Sequence, residues 1–312
     1  MSAHHRLNAT PETVHWGFLD AKLPPVLRVA SGDRVTIDTV SGIPEAMPPE
    51  GFTVRDALRR IHENARRGPG PHVLTGPIWV EGAEPGDTLE VRIQAIELAD
   101  DWGWNIIRPL MGSLPEDFPL FQARHLPIDR ASRTTRLPWG ATLPLAPFFG
   151  IMAVAPPAVY GSVTSVVPRE FGGNIDNKEL VAGATLYLPV FAPGALFSAG
   201  DGHAVQGDGE VCLTALETGL VGTFELIVRK DLQVRFPRAE TPSHLVSMGL
   251  HEDLDTAARQ AVREMIDLVC ERLPITREDA YSLCSLAADF RVTQLVDGNK
   301  GIHGLLAKSL LS

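Results

Sequence analysis

Ser31-Gly32-Asp33-Arg34-Val35-Thr36-Ile37-Asp38 and Pro85-Gly86-Asp87-Thr88-Leu89-Glu90-Val91-Arg92-Ile93 read as one unit used twice. Each is a Gly-Asp turn feeding a strand whose apolar residues recur with period two. Gly207-Asp208-Gly209-Glu210-Val211-Cys212-Leu213 reads as a third copy. The 28 glycines and 25 prolines are spread along the chain and cut it into many short segments. No strict repeat period is present, which argues against a solenoid or propeller. The expectation is a mainly β fold, a sandwich or distorted barrel of short antiparallel strands.

Working outward, residues 52–67 read as a short helix with Leu58 and Ile61 inward. Residues 97–121 read as a loop rich in aromatics (Trp102, Trp104, Phe118, Phe121). Residues 137–157 carry five prolines in an apolar setting and end in Ile151-Met152-Ala153-Val154-Ala155, a candidate buried strand. Beyond these the pattern changes. Leu254, Ala257, Ala258, Ala261, Val262, Met265, Ile266 and Val269 follow helical spacing. Thr276-Arg277-Glu278-Asp279 is a capping box opening a second helix through Leu286. Residues 289–296 alternate as a strand closed by Asp297-Gly298. The division expected is a β-rich body over 1–225 with an α/β C-terminal portion over 226–312 packed on it, or the two as one interwoven unit.

Composition narrows the function. The chain has 312 residues, a formal net charge of −10 and no run of Lys or Arg longer than two. Such a surface repels phosphates, so nucleic acid is set aside as a partner. Cys212, Cys270 and Cys284 are too few and too far apart for a disulfide framework or a CxxC metal site. A reducing cytoplasm is the expected location. The sequence has no window of eighteen consecutive apolar residues and no apolar stretch after Met1-Ser2-Ala3-His4-His5-Arg6, so no membrane partner is expected.

Chemistry concentrates in Gly200-Asp201-Gly202-His203-Ala204-Val205-Gln206-Gly207-Asp208-Gly209-Glu210. Three carboxylates and an imidazole in so short a span are the donors that hard or borderline cations take. On a strand, Asp208, Glu210 and Cys212 would share one face and Val211 and Leu213 the other. Upstream, Gly172-Gly173-Asn174-Ile175-Asp176-Asn177-Lys178-Glu179 adds an amide, two carboxylates and an ammonium. Each feature has an ordinary reading beside it. Gly-Asp-Gly is a hairpin turn, Lys178 is solvated, His72 is packed, Asp38 and Glu81 are solvated, and Cys212 is a small buried apolar residue. No Gly-x-Ser-x-Gly elbow or phosphate loop is present.

Taken jointly, Thr75 to Asp87, Gly172 to Lys178, Leu186 to Phe197 running into Gly200 to Glu217, and Asp289 to Gln294 with Val296-Asp297 resemble the acetamidase/formamidase family from about residue 10 to the end. The resemblance implies a β-rich fold with an α/β portion. It also implies hydrolysis of small linear amides to ammonia and a carboxylate, acting on carbon–nitrogen bonds other than peptide bonds. It further implies a divalent metal, zinc or calcium, near the acidic clusters, and a homodimer or higher homo-oligomer. Departures are Gly202 and Gln206, where larger apolar residues are expected, and a short Ser41-Gly42-Ile43.

The mechanism expected on this basis uses water activated by the ion. Asp201 and His203 are the expected ligands, with His72 and Asp38 as further ones. Glu210 or Asp208 would be the general base. Lys178, oriented by Asp176, would stabilise the oxyanion. Asn174 would hold the amide, and Trp104 and Phe121 would line the pocket. Three alternatives stay open: a larger or cyclic amide, a non-catalytic calcium- or ligand-binding protein, and Cys212 as nucleophile.

Overall fold

In the computed structural model, residues 2–311 are described, and they form two large sheets and three α-helices. The nine-stranded sheet runs in the order 4–7, 33–38, 220–229, 88–98, 185–189, 238–240, 244–251, 300–307, 289–294. The main path of the eleven-stranded sheet is 142–144, 134–136, 122–129, 102–107, 216–217, 197–205, 148–153, 172–174. Strand Val73–Val80 pairs with Phe197–Val205 beside that path and carries two short strands, 14–16 and 27–29.

The two sheets share one core. Val35, Ile37, Leu89, Val91, Ile93, Phe224 and Leu226 come from the first, and Leu74, Ile78, Phe149, Ile151, Phe197 and Ala199 from the second. Alternating apolar residues thus face each other across a sandwich, with burial supplying the driving force.

The Gly-Asp units behave as read at two of their three positions. Gly32 and Gly86 take the left-handed conformation (φ +90° and +97°). Asp33 and Asp87 then close their turns by accepting from the backbone N–H of Ala30 and Glu84. Strands Asp33–Asp38 and Thr88–Leu98 come next. The third unit is a correction: no strand continues from Gly207-Asp208-Gly209. Glu210 is itself left-handed (φ +46°), which ends any extended run, and residues 211–213 turn. A face shared by Asp208, Glu210 and Cys212 therefore does not exist. The 97–121 segment is also corrected. Trp102 and Trp104 lie on strand Trp102–Ile107, and the irregular parts of the segment are a short turn at 99–101 and the loop 108–121.

Helix α1 (Asp56–Asn64) buries Leu58 and Ile61. Helix α2 (Leu254–Arg272) packs Ala257 and Ala261 against Ile302, and Met265 and Val269 among Leu245 and Leu306. Helix α3 (Arg277–Ala287) opens on the predicted box: Thr276 accepts from the Asp279 N–H and donates its hydroxyl to the Asp279 carboxylate. Strand Leu220–Arg229 crosses residue 225, and the nine-stranded sheet takes strands from both sides of it. Among the described residues no helix is long and apolar enough to cross a membrane.

Candidate active site

Strand Phe197–Val205 is wholly buried up to Ala204 and sits between its neighbours 148–153, 73–80 and 216–217. Asp201 and His203, two apart on it, come to one place, as the period of a strand requires. Ladder neighbours complete the place. Glu217 stands opposite His203, and Gly150 stands opposite Asp201, between the pairs Phe149–Gly202 and Ile151–Gly200. Asp176 lies just past strand Gly172–Asn174, with its backbone N–H donating to the Gly150 carbonyl at 3.1 Å. Asp297 arrives from the turn after strand Asp289–Gln294, its N–H held by Gln294 Oε1 at 3.1 Å.

Distances define a tight cluster. His203 Nε2 is 3.2 Å from Glu217 Oε1, 3.3 Å from Asp201 Oδ2 and 3.8 Å from Asp176 Oδ1. His72 Nε2 lies 4.0 Å from Asp201 Oδ1, too far for a hydrogen bond, while its Nδ1 pairs with Ser165 Oγ at 2.9 Å. Asp176, His203 and Glu210 form one group whose ligand atoms lie within 4.8 Å of one another, and Asp201, His203 and Glu217 form a second. Asp176, Asp201 and Glu210 all have left-handed backbones (φ +50°, +56° and +46°). Non-glycine residues held so carry strain that concentrates at functional sites.

Burial and mutual repulsion set the protonation. Burial lifts Asp176 to about 7, with the His203 charge pulling the other way and Asp201 adding to the rise. Burial lifts Glu217 to about 8 against the pull of His203. Burial and the Asp176 charge drive Glu210 well above the usual carboxylate range, and Asp297 rises for the same two reasons. Asp201 is the exception: burial would raise it, but His72 and His203 together hold it well below its ordinary value. Burial would lower His203, yet Glu217 and Asp201 raise it well above an ordinary histidine. His72 is lowered by burial despite Asp201.

The cluster floors a cavity of about 250 Å³. Its walls are largely apolar, with Val40, Ile43, Val73, Trp104, Ile106 and Leu213 among them. Four buried oxygens at the floor meet no N–H or hydroxyl donor: Asn174 Oδ1, Asp176 Oδ1, Glu210 Oε2 and Asp297 Oδ2. The Asp176 carboxyl faces those of Glu210 and Asp297, so only a shared proton or a cation satisfies them. A Cβ built on Gly150 would fall 2.4 Å from Asp176 Oδ1 and 2.5 Å from Asp201 Oδ2, so the glycine leaves open the space between those two carboxylates. Buried carboxylates without partners are strongly unfavourable unless a cation or protons compensate them. Oxygen and imidazole donors around such a space fit a divalent ion.

The predicted residues divide. Asp176, Asp201, His203, His72, Glu210, Asn174 and Trp104 are brought to the cavity. Asp38 is instead engaged by Arg55 at 2.7 Å, and Arg55 also pairs with Asp100, so its carboxylate is occupied by a structural cation. Asp208 and Lys178 pair with each other at 2.9 Å, each about a third exposed, outside the lining of the cavity. Phe121 sits on the exposed loop and is not part of the lining. Cys212 is placed in a turn, receives Asn105 Nδ2 at 3.2 Å, and lines a different groove. Glu217, Asp297 and Gly150 were not singled out in the sequence. Asp297 entered only as a turn residue and as part of a segment resembling the family, with no site role, and Glu217 only as the end of another such segment. Glu217's role becomes visible once its strand is known to pair beside His203.

The acetamidase/formamidase family model matches residues 4–161 and 158–302. The chain belongs to the acetamidase/formamidase family. Its structure is similar to an acetamidase crystal structure from Bacillus halodurans, with TM-score 0.85 and 30% identity over 98% of each chain. It is equally similar to an acetamidase from Yersinia enterocolitica, with TM-score 0.87 and 30% identity over 100% of this chain and 94% of that one. An acetamidase of Mycolicibacterium smegmatis is 30% identical over 198 residues, 45% of this chain and 49% of that protein. The chain spans about half the length of the curated relatives it matches.

Proposed function

We propose that this chain is a hydrolase that cleaves the carbon–nitrogen bond of small linear amides to give ammonia and a carboxylate. The observation that carries the reading is the set of four oxygens without an N–H or hydroxyl donor, from Asn174, Asp176, Glu210 and Asp297, buried at the floor of an apolar cavity. Asp201, His203 and Glu217, with His72 beside Asp201, are the residues that would hold a divalent ion. Asp201 suits this role because its neighbours keep it ionised. When bound, such an ion polarises the amide carbonyl and lowers the pKa of water beside it.

The chain's own groups supply the rest. Asn174 Oδ1 accepts an N–H of the substrate amide and orients it. Glu210 takes the proton from the attacking water at Oε2 and returns it to the departing nitrogen, the work of a general acid–base whose proton affinity burial and Asp176 raise above that of an ordinary carboxylate. Asp176 and Asp297 tune it: their charges and burial keep its proton mobile, and a bound cation pulls the whole set down. Val73, Trp104, Ile106 and Leu213 exclude bulk water, which strengthens every charge interaction within. Lys178 is left out of this scheme because Asp208 occupies it.

A second reading keeps the chemistry and enlarges the substrate. The cavity, at about 250 Å³, is just under the roughly 300–1,000 Å³ of ordinary ligand pockets and exceeds what formamide fills. Ile43, Trp104 and Met111 suit an amide with an apolar body. The test is ammonia release from formamide, acetamide and larger linear and cyclic amides, before and after chelation and with zinc or calcium returned. Release that falls on chelation and returns with one ion supports a metal-dependent amidase and identifies its metal. Tight calcium binding with no release from any amide would overturn the enzyme in favour of a binding protein. The location we assign is the reducing cytoplasm, on the ground that Cys212, Cys270 and Cys284 are all free.

A further inference from the structure

We propose that Gln206 fixes the tautomer of His203, so that Nε2 is the ring nitrogen offered to the cation. The proposal rests on the metal-ion reading above. Gln206 is buried just past the end of strand Phe197–Val205 and makes three polar contacts. Its Oε1 lies 2.9 Å from His203 Nδ1. Its Nε2 donates to the Asp176 carbonyl at 2.9 Å and toward the Thr293 carbonyl at 3.4 Å.

The two carbonyls decide which way the side-chain amide points. A carbonyl only accepts, so the NH₂ must face Asp176 and Thr293, and the amide oxygen is left for the ring. An amide oxygen also only accepts, so His203 Nδ1 must carry a hydrogen and donate it. The reverse amide orientation would set an oxygen against two carbonyl oxygens in a buried place, each an unmade hydrogen bond.

The consequence lies on the other side of the ring. With Nδ1 protonated, the neutral ring turns its Nε2 lone pair toward Asp201 Oδ2, Glu217 Oε1 and Asp176 Oδ1, all within 3.8 Å. A lone pair facing three carboxyl groups needs a positive partner between them, a proton or a metal cation, and a metal takes the place once that proton leaves. Without Gln206 the neutral ring would be free to move its hydrogen to Nε2, donate it to those carboxylates and fill the place a metal takes. Gln206 removes that neutral competitor. It touches neither substrate nor metal and acts through His203, so it is a positioning residue. Such partners of a ligating histidine are worth roughly 10–100-fold in metal affinity. Because the same amide grips Thr293 on strand Asp289–Gln294, it also ties the C-terminal portion to the metal site.

The experiment is nitrogen NMR of the isotopically labelled full-length protein loaded with cadmium as the metal probe. Expected is cadmium coupling to His203 Nε2, with a hydrogen on Nδ1. Gln206→Met keeps the volume and removes the acceptor. It should weaken cadmium and zinc binding by roughly 10–100-fold and release the Nδ1 hydrogen. Gln206→Glu keeps an acceptor toward the ring, at the loss of the N–H donors to the Asp176 and Thr293 carbonyls, and where folded should retain the Nδ1–H signature. Coupling to Nδ1 overturns the proposal, as does a folded Gln206→Met with unchanged tautomer and affinity. Cadmium coupled to no histidine nitrogen would defeat the metal-ion reading itself, a distinct failure. Should Gln206→Met not fold, the wild-type spectrum decides alone.

Discussion

Two parts of this molecule gather acidic side chains, and they treat them in opposite ways. In the basin bounded by Tyr187, Arg229, Arg238 and Arg272, each carboxylate meets a cation. Glu271 takes a two-pronged contact from Arg238 at 2.8 Å. Glu240 takes Arg272 at 2.9 Å, Lys308 at 2.6 Å and the Tyr187 hydroxyl at 2.8 Å. Glu90 takes Arg92 at 2.6 Å and Arg229 at 2.5 Å. Burial would raise Glu240, but Lys308, Tyr187 and Arg272 bring it below its ordinary value. At the floor of the cavity, four carboxylates gather at His203 and a fifth, Asp297, lies against Asp176; no Lys or Arg pairs with them among the described residues, and three of the five leave a buried oxygen with no N–H or hydroxyl donor. A complete set of partners marks ion pairs that serve the fold. An incomplete set marks a place arranged to receive something, at some expense in stability.

The largest test of this contrast is Glu210→Gln. It keeps the shape and removes the proton carrier, so turnover should fall by about 10²–10⁴-fold in an ammonia-release assay. Thermal melting should hold steady, because burial and Asp176 already favour the uncharged acid and Gln keeps its shape and neutrality. A steep loss of melting temperature would mean that the cavity's acids serve the fold as the basin's do, and the contrast would break. Next in size is Gly150→Ala. Its methyl would occupy the space between Asp176 Oδ1 and Asp201 Oδ2. Bound metal per chain, measured by elemental analysis, should drop by at least about tenfold, on the scale of a displaced ligand environment. Retention of a full complement would place the ion elsewhere.

His15 sharpens the comparison as a third way to bury a titratable group. It keeps the ring neutral between neutral partners: Nδ1–H donates to the Phe18 carbonyl at 2.6 Å, and Nε2 accepts from Ser198 Oγ at 2.9 Å. Burial pushes it down to about 4 despite the Phe18 carbonyl. The unfolded chain gains its proton near 6.5 and the folded chain near 4. The contribution to stability is therefore complete above pH 6.5 and is lost as pH falls from 6.5 toward 4. At pH 5 it should have fallen by about 2 kcal/mol from its value at pH 7.5. Urea melts of wild type and His15→Gln at the two pH values isolate the term. An equal pH dependence in both proteins would remove His15 as its source.

How much of this was legible depended on whether the deciding partner was close in sequence. The Gly-Asp turns at 32–33 and 86–87 close on their own aspartates, so a local reading sufficed. Asp201 and His203 were legible as a pair because a strand's period of two is local. The copy at 207–209 has the same letters but a different outcome: the Gly209 N–H donates to the Thr293 carbonyl, its carbonyl accepts from the Leu295 N–H, and Glu210 turns left-handed beneath the cavity. Nothing near residue 210 announces that. Asp38 looked free until Arg55 reached it from helix α1's N-cap. Glu217, Asp297 and Gly150 enter the site through ladder register and a distant turn, which sequence spacing does not contain.

The smallest expected effect tests the basin's half of the contrast. Arg238 is buried, while Glu271 remains 46% exposed at its side chain. Arg238→Met keeps most of the stem's apolar contact and removes the fork. Glu271 can then return to water, so no charge is stranded in the interior, and the full penalty for breaking a buried pair does not apply. What is lost is one well-aligned, half-exposed pair, about 1 kcal/mol of unfolding free energy in urea melts. Turnover and metal content should match wild type, because the basin has no contact with the cavity's acids. A stability loss of this size with full activity would keep the two acidic regions separate in role. A loss of metal or turnover would show instead that the paired charges of the nine-stranded sheet help hold the cavity's shape. The sharp assignment of one region to the fold and the other to chemistry would then fail.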